Sequence, residues 1–330
     1  MNCLRHALHL RPEFAEAQNN LGNVLLDQGN LDDAMECFQQ ATHLQSDFAE
    51  AHINLGAALH KQGRIEEALA SFEEALQIQS DNRALRIKIA TLLPVIYRSV
   101  EELQQWRTRL VAQVEALLRD NITLDPLKEN IQSNFLLAYQ GLDDREIQEK
   151  IARLYLPIRE VAPRLVDPSQ RKIRIGFLSR YFKNHTIGHL NRGLIATLSR
   201  DDFEVTVLSL GYHEDEGNQF IREHADRYLE LPAHLQTASQ SIAELGLDIL
   251  FFTDIGMEPL SYALASVRLA PVQCVTWGHP VTTGLPAVDY FLSSALMEDE
   301  VAAAHYSETL VRLNSLTTYY YPPSLPSVLK

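Results

Sequence analysis

Two stretches of the chain align without a gap at a shift of 34 residues: FAEAQNNLGNVLLDQGNLDDAMECFQQATHL from Phe14 and FAEAHINLGAALHKQGRIEEALASFEEALQI from Phe48. A unit repeating at this period buries its apolar face only against its neighbours, so the period dictates a stack of helical pairs. Gly22 maps to Gly56, Gly29 to Gly63, Ala34 to Ala68, Phe38 to Phe72 and Ala41 to Ala75. Small residues at Gly22 and Ala34 allow two antiparallel helices to approach closely. Gly29 and Gly63 sit where a first helix must end in a left-handed turn. Phe38 and Phe72 fill the space between helices. The preceding CLRHALHLRP reads as the second helix of an earlier repeat, with Ala7 at the place of Ala41 and Leu10 at that of Leu44.

This pattern resembles the tetratricopeptide repeat over residues 1–83, although its Trp and Pro positions hold other residues, such as Gln18 and Ser46. The inner face of such an array is a place for extended peptide. Asn20 and Asn54 would stack on that face, and an Asn amide both donates to and accepts from a backbone. They read equally as solvated polar positions. Helical periodicity continues through 84–161, broken at Pro94 and restarted after Gly141 and Asp143–Asp144. This region is expected to be a helical adaptor, and APRLVDPSQ (162–170), with two prolines, the linker that opens the next domain (162–330).

Charge and cysteine usage exclude several classes. The formal net charge is −14, and both halves of the chain are acidic. No basic cluster offers a footprint for nucleic acid. The three cysteines are scattered, which fits neither a disulfide framework nor a zinc site and suits a reducing, cytoplasmic setting. No apolar run approaches the ~20 residues of a membrane span.

From residue 171 onward short β-branched runs alternate with helical stretches: KIRIGFLS, FEVTVLSL, RYLEL, DILFFTD and VQCVTW are the strand candidates. That alternation indicates a doubly wound parallel sheet, whose ligands sit beyond the carboxyl ends of its strands. The loops RYFKNHTIGH, TDIGMEP and GHPVTTGLP fall there. The first places His185 and His189 four apart. A zinc protease would need Glu beside the first His, where this chain has Thr186, and no third ligand accompanies the pair, so no metal is expected. His185, at the mouth of the loop, is placed for chemistry. His189, one turn on, is expected deeper, as structural support. Gly278 and Gly284 would permit close backbone approach to a ligand, Pro280 stiffens the loop, and Thr282 and Thr283 carry hydroxyls. The same residues also fit an ordinary strand–helix turn.

A tetratricopeptide array, a helical segment and then IRIGFLSRYFKNHTIGHL, LDILFFTDIG, RLAPVQCVTWGHPVTTG and VDYFLSS, in this order, resemble the O-linked N-acetylglucosamine transferase family in its bacterial, SPINDLY-like form. The resemblance implies a two-lobed GT-B glycosyltransferase that moves a sugar from a UDP-sugar, UDP-GlcNAc above all, to a protein side chain, with no cofactor. It implies His185 as a general base near sugar and acceptor. It implies that Gly278, His279, Pro280 and Thr283 cradle the donor sugar and that Asp254 lines the cleft. In the family UDP is held mainly by a second lobe. Here no lysine lies between Lys183 and Lys330, so the expectation is a first lobe only, a truncated form without turnover by itself. The alternative is a peptide-binding tetratricopeptide scaffold without catalysis. A metal hydrolase lacks its ligands.

Overall fold

The computed structural model describes residues 1–126, 129, 133–155, 172–278 and 281–321. The chain divides into two compact units, 1–122 and 123–330. The division falls inside the stretch expected to be one helical adaptor. The linker expected at 162–170 lies outside the described residues.

The first unit is all helical: α1 (Asn2–Leu10), α2 (Ala15–Asp27), α3 (Leu31–Leu44), α4 (Ala49–Lys61), α5 (Ile65–Ile78), α6 (Arg83–Thr91) and α7 (Val100–Arg119). α2 pairs with α3 and α4 with α5, one pair per repeat. A Cβ on Gly22 would lie 2.5 Å from the Phe38 ring, and one on Gly56 would lie 2.8 Å from the Phe72 ring. The small residue and the aromatic therefore form one contact, repeated. Phe38, Phe72, Ala34, Ala68, Ala41 and Ala75 are all fully buried. Gly29 and Gly63 adopt φ of +80° and +79°. The amide after each donates back to the helix, Asn30 to the Leu25 carbonyl at 2.9 Å and Arg64 to that of Leu59 at 3.0 Å, which ends α2 and α4 in Schellman turns. α6 and α7 extend the array and open on side-chain caps, Asn82 accepting from the Leu85 amide and Ser99 from that of Glu102. Ile87, Leu110 and Val114 on these two helices are buried.

The second unit carries a 3₁₀ turn (Phe135–Gln140), α8 (Arg145–Ala152) and a parallel sheet. In chain order its elements are β1 (Ile173–Ser179), α9 (Thr186–Thr197), β2 (Phe203–Ser209), α10 (Glu216–His224), β3 (Arg227–Glu230), α11 (Leu235–Glu244), β4 (Ile249–Phe252), α12 (Pro259–Ala265), β5 (Val272–Val275), β6 (Tyr290–Ser294) and β7 (Thr309–Leu313). The strand order is β3-β2-β1-β4-β5-β6-β7, and every pairing is parallel. The five strands expected from the alternation are present. β6 and β7 escaped it, because no helix of ordinary length separates β5 from β6 or β6 from β7.

Right-handed crossovers put α9 and α10 on one face and α11 and α12 on the other. On the α9–α10 face Phe177, Val205, Val207, Phe251 and Cys274 from the sheet pack with Phe182, Ile195 and Ile221. The order in which strands are added reverses between the parallel neighbours β1 and β4, so the switch point of the sheet lies at their carboxyl ends.

Candidate functional site

Three loops meet that edge: Ser179–His185 after β1, Thr253–Glu258 after β4, and the segment after β5. The first is held from several sides. Phe182 is fully buried. Its carbonyl accepts from Asn218 Nδ2 at 2.7 Å. The Arg180 carbonyl accepts from His213 Nε2 at 2.8 Å. Asp215 caps α10 and takes the Asn184 amide at 3.0 Å with the same Oδ1. Gly188 and Gly217 make room for the turn: a Cβ on Gly188 would lie 2.2 Å from the Lys183 carbonyl oxygen, and one on Gly217 would lie 2.7 Å from Asn184 Oδ1.

His185 ends this loop as the N-cap of α9. Its Nδ1 accepts the Ile187 amide at 3.2 Å, and its ring stacks on Tyr181 with centroids 4.4 Å apart. A neutral imidazole whose Nδ1 accepts carries its proton on Nε2. Partial burial, then the charges of Lys183 and His189, push its pKa below the ordinary histidine value. The neutral ring is thus favoured near pH 7. His189 is exposed instead of lying deeper. The buried face of α9 is taken by Ile187, Gly188, Asn191 and Ile195, and position 189 falls away from it.

Asp254, expected to line the cleft, is fully buried. Its Oδ1 accepts from the Ser179 hydroxyl and, at 3.2 Å, from Thr253 Oγ1. Burial raises its pKa to about 7; the two hydroxyls act in the other direction, and Glu258 adds to the rise. The loop after β4 instead presents Glu258 as the N-cap of α12, facing Arg180 at 3.7 Å.

The loop after β5 is a packed structure. A Cβ on Gly278 would lie 1.8 Å from the Thr253 carbonyl oxygen, and one on Gly284, at φ +69°, would lie 2.3 Å from the Gln148 backbone on α8. These glycines give room to neighbouring backbone. His279 and Pro280 lie outside the described residues. Thr282 and Thr283 are buried, and their hydroxyls are spent on Glu308: Thr282 Oγ1 donates at 2.6 Å, Thr283 Oγ1 donates too, and the Thr283 amide donates at 2.8 Å. They are not free hydroxyls awaiting a ligand. Gln273 accepts the Leu269 and Ala270 amides and donates to the Ala287 carbonyl. Asp289 takes Arg268 in a two-pronged pair. The APVQ and DY segments are thereby the frame of this loop. Sequence reading passed over Ser179, Tyr181 and Glu308. Nothing local marks Glu308, which lies 25 residues from Thr283 and 26 from Thr282. Tyr181 sits four residues before His185, but only the turn between them brings the rings together.

A cavity of about 430 Å³ opens on the same edge, lined by Arg180, Leu210, Leu231, His234, Glu258 and Leu260 among others. Among the described residues no group of three or more His, Cys, Asp or Glu is arranged to hold a metal ion. Likewise, no helix is long and apolar enough to cross a membrane.

A helical repeat array joined to a parallel doubly wound sheet, with a histidine-capped loop at the switch point, is the architecture of a GT-B glycosyltransferase lobe carried with tetratricopeptide repeats. The glycosyl transferase family 41 profile matches residues 146–321, more than half of the chain, and the chain belongs to that family. A tetratricopeptide repeat profile matches 2–41 and 19–83. The fold is similar to that of an O-GlcNAc transferase mutant from Thermobaculum terrenum, with a TM-score of 0.65 and 23% identity over 98% of this chain and 55% of that one. A protein of Arabidopsis thaliana named as a probable UDP-N-acetylglucosamine–peptide N-acetylglucosaminyltransferase, SEC, is 26% identical over 63% of this chain and 23% of its own length. A UDP-glucose:protein N-beta-glucosyltransferase of Actinobacillus pleuropneumoniae is 33% identical over 24% of this chain and 13% of its own. The chain thus matches about a quarter or less of the length of these two relatives.

Proposed function

We propose that this chain contributes the acceptor-facing lobe and the repeat array of a protein glycosyltransferase using a UDP-sugar, UDP-GlcNAc first among candidates. The array would hold the acceptor polypeptide. Family membership and the names of the relatives support the reading. The observation that carries it is the pose of His185 at the carboxyl end of β1, capped, stacked and held neutral.

In sugar transfer the acceptor atom attacks the anomeric carbon, the bond from that carbon to UDP breaks with its electron pair on the diphosphate, and the acceptor's proton passes to that departing diphosphate. In place of the general base expected from the sequence, His185 is read here as a hydrogen-bond donor through Nε2–H. The lone pair on Nδ1 is already given to Ile187. Nε2 can take up a proton only after its own has moved to Nδ1, which breaks the helix cap. A donor held by a cap loses no orientation at the moment of reaction, which is how a preorganised group stabilises developing charge. The buried Thr282–Thr283–Glu308 cluster is read as the rigid support of the loop that would meet the sugar.

The test is transfer from UDP-GlcNAc and from UDP-glucose to protein acceptors by the chain completed with a second, UDP-binding lobe, with His185→Ala and His185→Asn compared in one preparation. A donor role predicts loss with Ala and partial retention with Asn, whose amide donates. Equal activity of all three would refute the role of His185. A scaffold without catalysis would bind peptide and give no transfer with either donor.

A further inference from the structure

We propose that Asp254 is a positioning residue for His185, acting through the Ser179 hydroxyl and the Tyr181 ring. Ser179 ends β1 and Asp254 follows β4, its neighbour across the switch point, and both are fully buried. The Ser179 hydroxyl has one proton, and it goes to Asp254 Oδ1. That choice aims an oxygen lone pair at the Tyr181 amide, which donates to Ser179 Oγ at 2.8 Å. Tyr181 is thereby set at the start of the turn, and its ring stacks on His185 at an interplanar angle of 24°.

Two further facts favour a device over simple filling of space. A buried carboxyl is costly, and an apolar residue would fill the same volume at less expense. Moreover Oδ2 of Asp254 is buried without a hydrogen-bond partner among the described residues, so the bonds this side chain accepts, from the Ser179 and Thr253 hydroxyls, both fall on Oδ1. Asn218 on Phe182 and Asp215 on Asn184 hold the backbone further along the loop, while His213 grips the carbonyl of the same Arg180–Tyr181 peptide whose amide donates to Ser179. The Tyr181 amide is the one that donates to the Ser179 hydroxyl among the described residues of this loop.

The inference rests on the proposed function only for the catalytic meaning of His185. Its test needs no activity. Histidine ring signals are followed by NMR in the 330-residue chain carrying isotope-labelled histidine, for the protein and for Ser179→Ala, Asp254→Ala and Asp254→Asn. His60 and His224 report on the fold. Asp254→Ala and Ser179→Ala are expected to displace the His185 signals and its titration midpoint, with the two reporters unmoved. Asp254→Asn keeps an oxygen that accepts from Ser179 and is expected to leave His185 close to its original position. Ser179→Ala changes volume least and carries the test should Asp254→Ala fail to fold. Unmoved His185 signals in folded Ser179→Ala would overturn the inference, as would an Asp254→Asn effect equal to that of Asp254→Ala. If His185 moves as expected yet transfer is indifferent to His185, the proposed function falls and the positioning line stands.

Discussion

Gly278 lies so close to Thr253 that a side chain of one carbon would meet its carbonyl oxygen at 1.8 Å. The contact joins the loop after β5 to the loop after β4, and backbone on both sides leaves nothing flexible to yield. Gly278→Ala is therefore expected to destabilise the second unit by about 1–3 kcal/mol or more. Differential scanning calorimetry should show its transition lowered while that of the repeat unit stays in place. Gly29→Ala is the contrast: no atom lies within 4 Å of the added carbon, and only the left-handed φ is penalised, by about 1–2 kcal/mol.

Glu308 is buried with the Thr282 and Thr283 hydroxyls and the Thr283 amide as donors. Thr283→Val keeps the shape and removes one donor to a buried carboxylate. The expected cost is about 1–3 kcal/mol. Thr283→Ser keeps the hydroxyl and should cost less. Urea unfolding of the second unit distinguishes them; an equal loss from both would point to packing of the methyl group.

The two histidines of α9 should separate cleanly. In the chain completed with a second, UDP-binding lobe, His185→Ala is expected to lower transfer by about 10²–10³-fold, as removal of a preorganised donor does elsewhere. It also removes the cap on Ile187, at about 1 kcal/mol. His189 is exposed, so His189→Ala should change the melting temperature little. A large loss of stability with His189→Ala would contradict its placement.

Asp254 gives the second unit a pH dependence of definite sign. Its pKa in the folded chain, about 7, lies above the ordinary carboxyl value of 3.8. Folding therefore favours its protonated form. The stabilisation is present at low pH and is lost as pH rises from about 4 through 7, by at most about 4 kcal/mol. Asp254→Asn removes this term. Relative to the original chain it should gain stability at pH 8 compared with pH 5, read from urea midpoints at both values. A difference independent of pH would show that the carboxyl does not titrate in this window.

In the repeats, Asn54 donates to Asn19 Oδ1 at 2.8 Å, and buried Asn19 in turn donates to Glu50 at 3.1 Å. Asn20, its counterpart 34 residues earlier, is exposed. The two asparagines expected to line a groove alike are thus used differently. Asn54→Ala should cost the first unit about 0.5–1.5 kcal/mol, and Asn20→Ala close to nothing. If the groove takes extended peptide, fluorescence anisotropy with an acceptor peptide should register Asn20→Ala as weaker binding at unchanged stability.

Periodicity is a local property, and what depends on it was legible in the chain alone. The repeat and its Gly22–Phe38 contact recur every 34 residues because each repeat solves one packing problem in the same way. The alternation of strands and helices announced the parallel sheet, and the parallel sheet placed His185 at its carboxyl edge. The tertiary structure decided what spacing cannot encode. β6 is a strand because β5 offers it an edge to pair with, and β7 because β6 does, without the helix that would have marked them. Thr282 and Thr283 look like ligands in the sequence, and become supports because Glu308 arrives from a distant turn. Asp254 looks like a cleft residue in its loop, and is buried because the loop after β5 closes over it at Gly278. A side chain's direction and partners depend on which segments the fold brings alongside it, and no window of the sequence contains both.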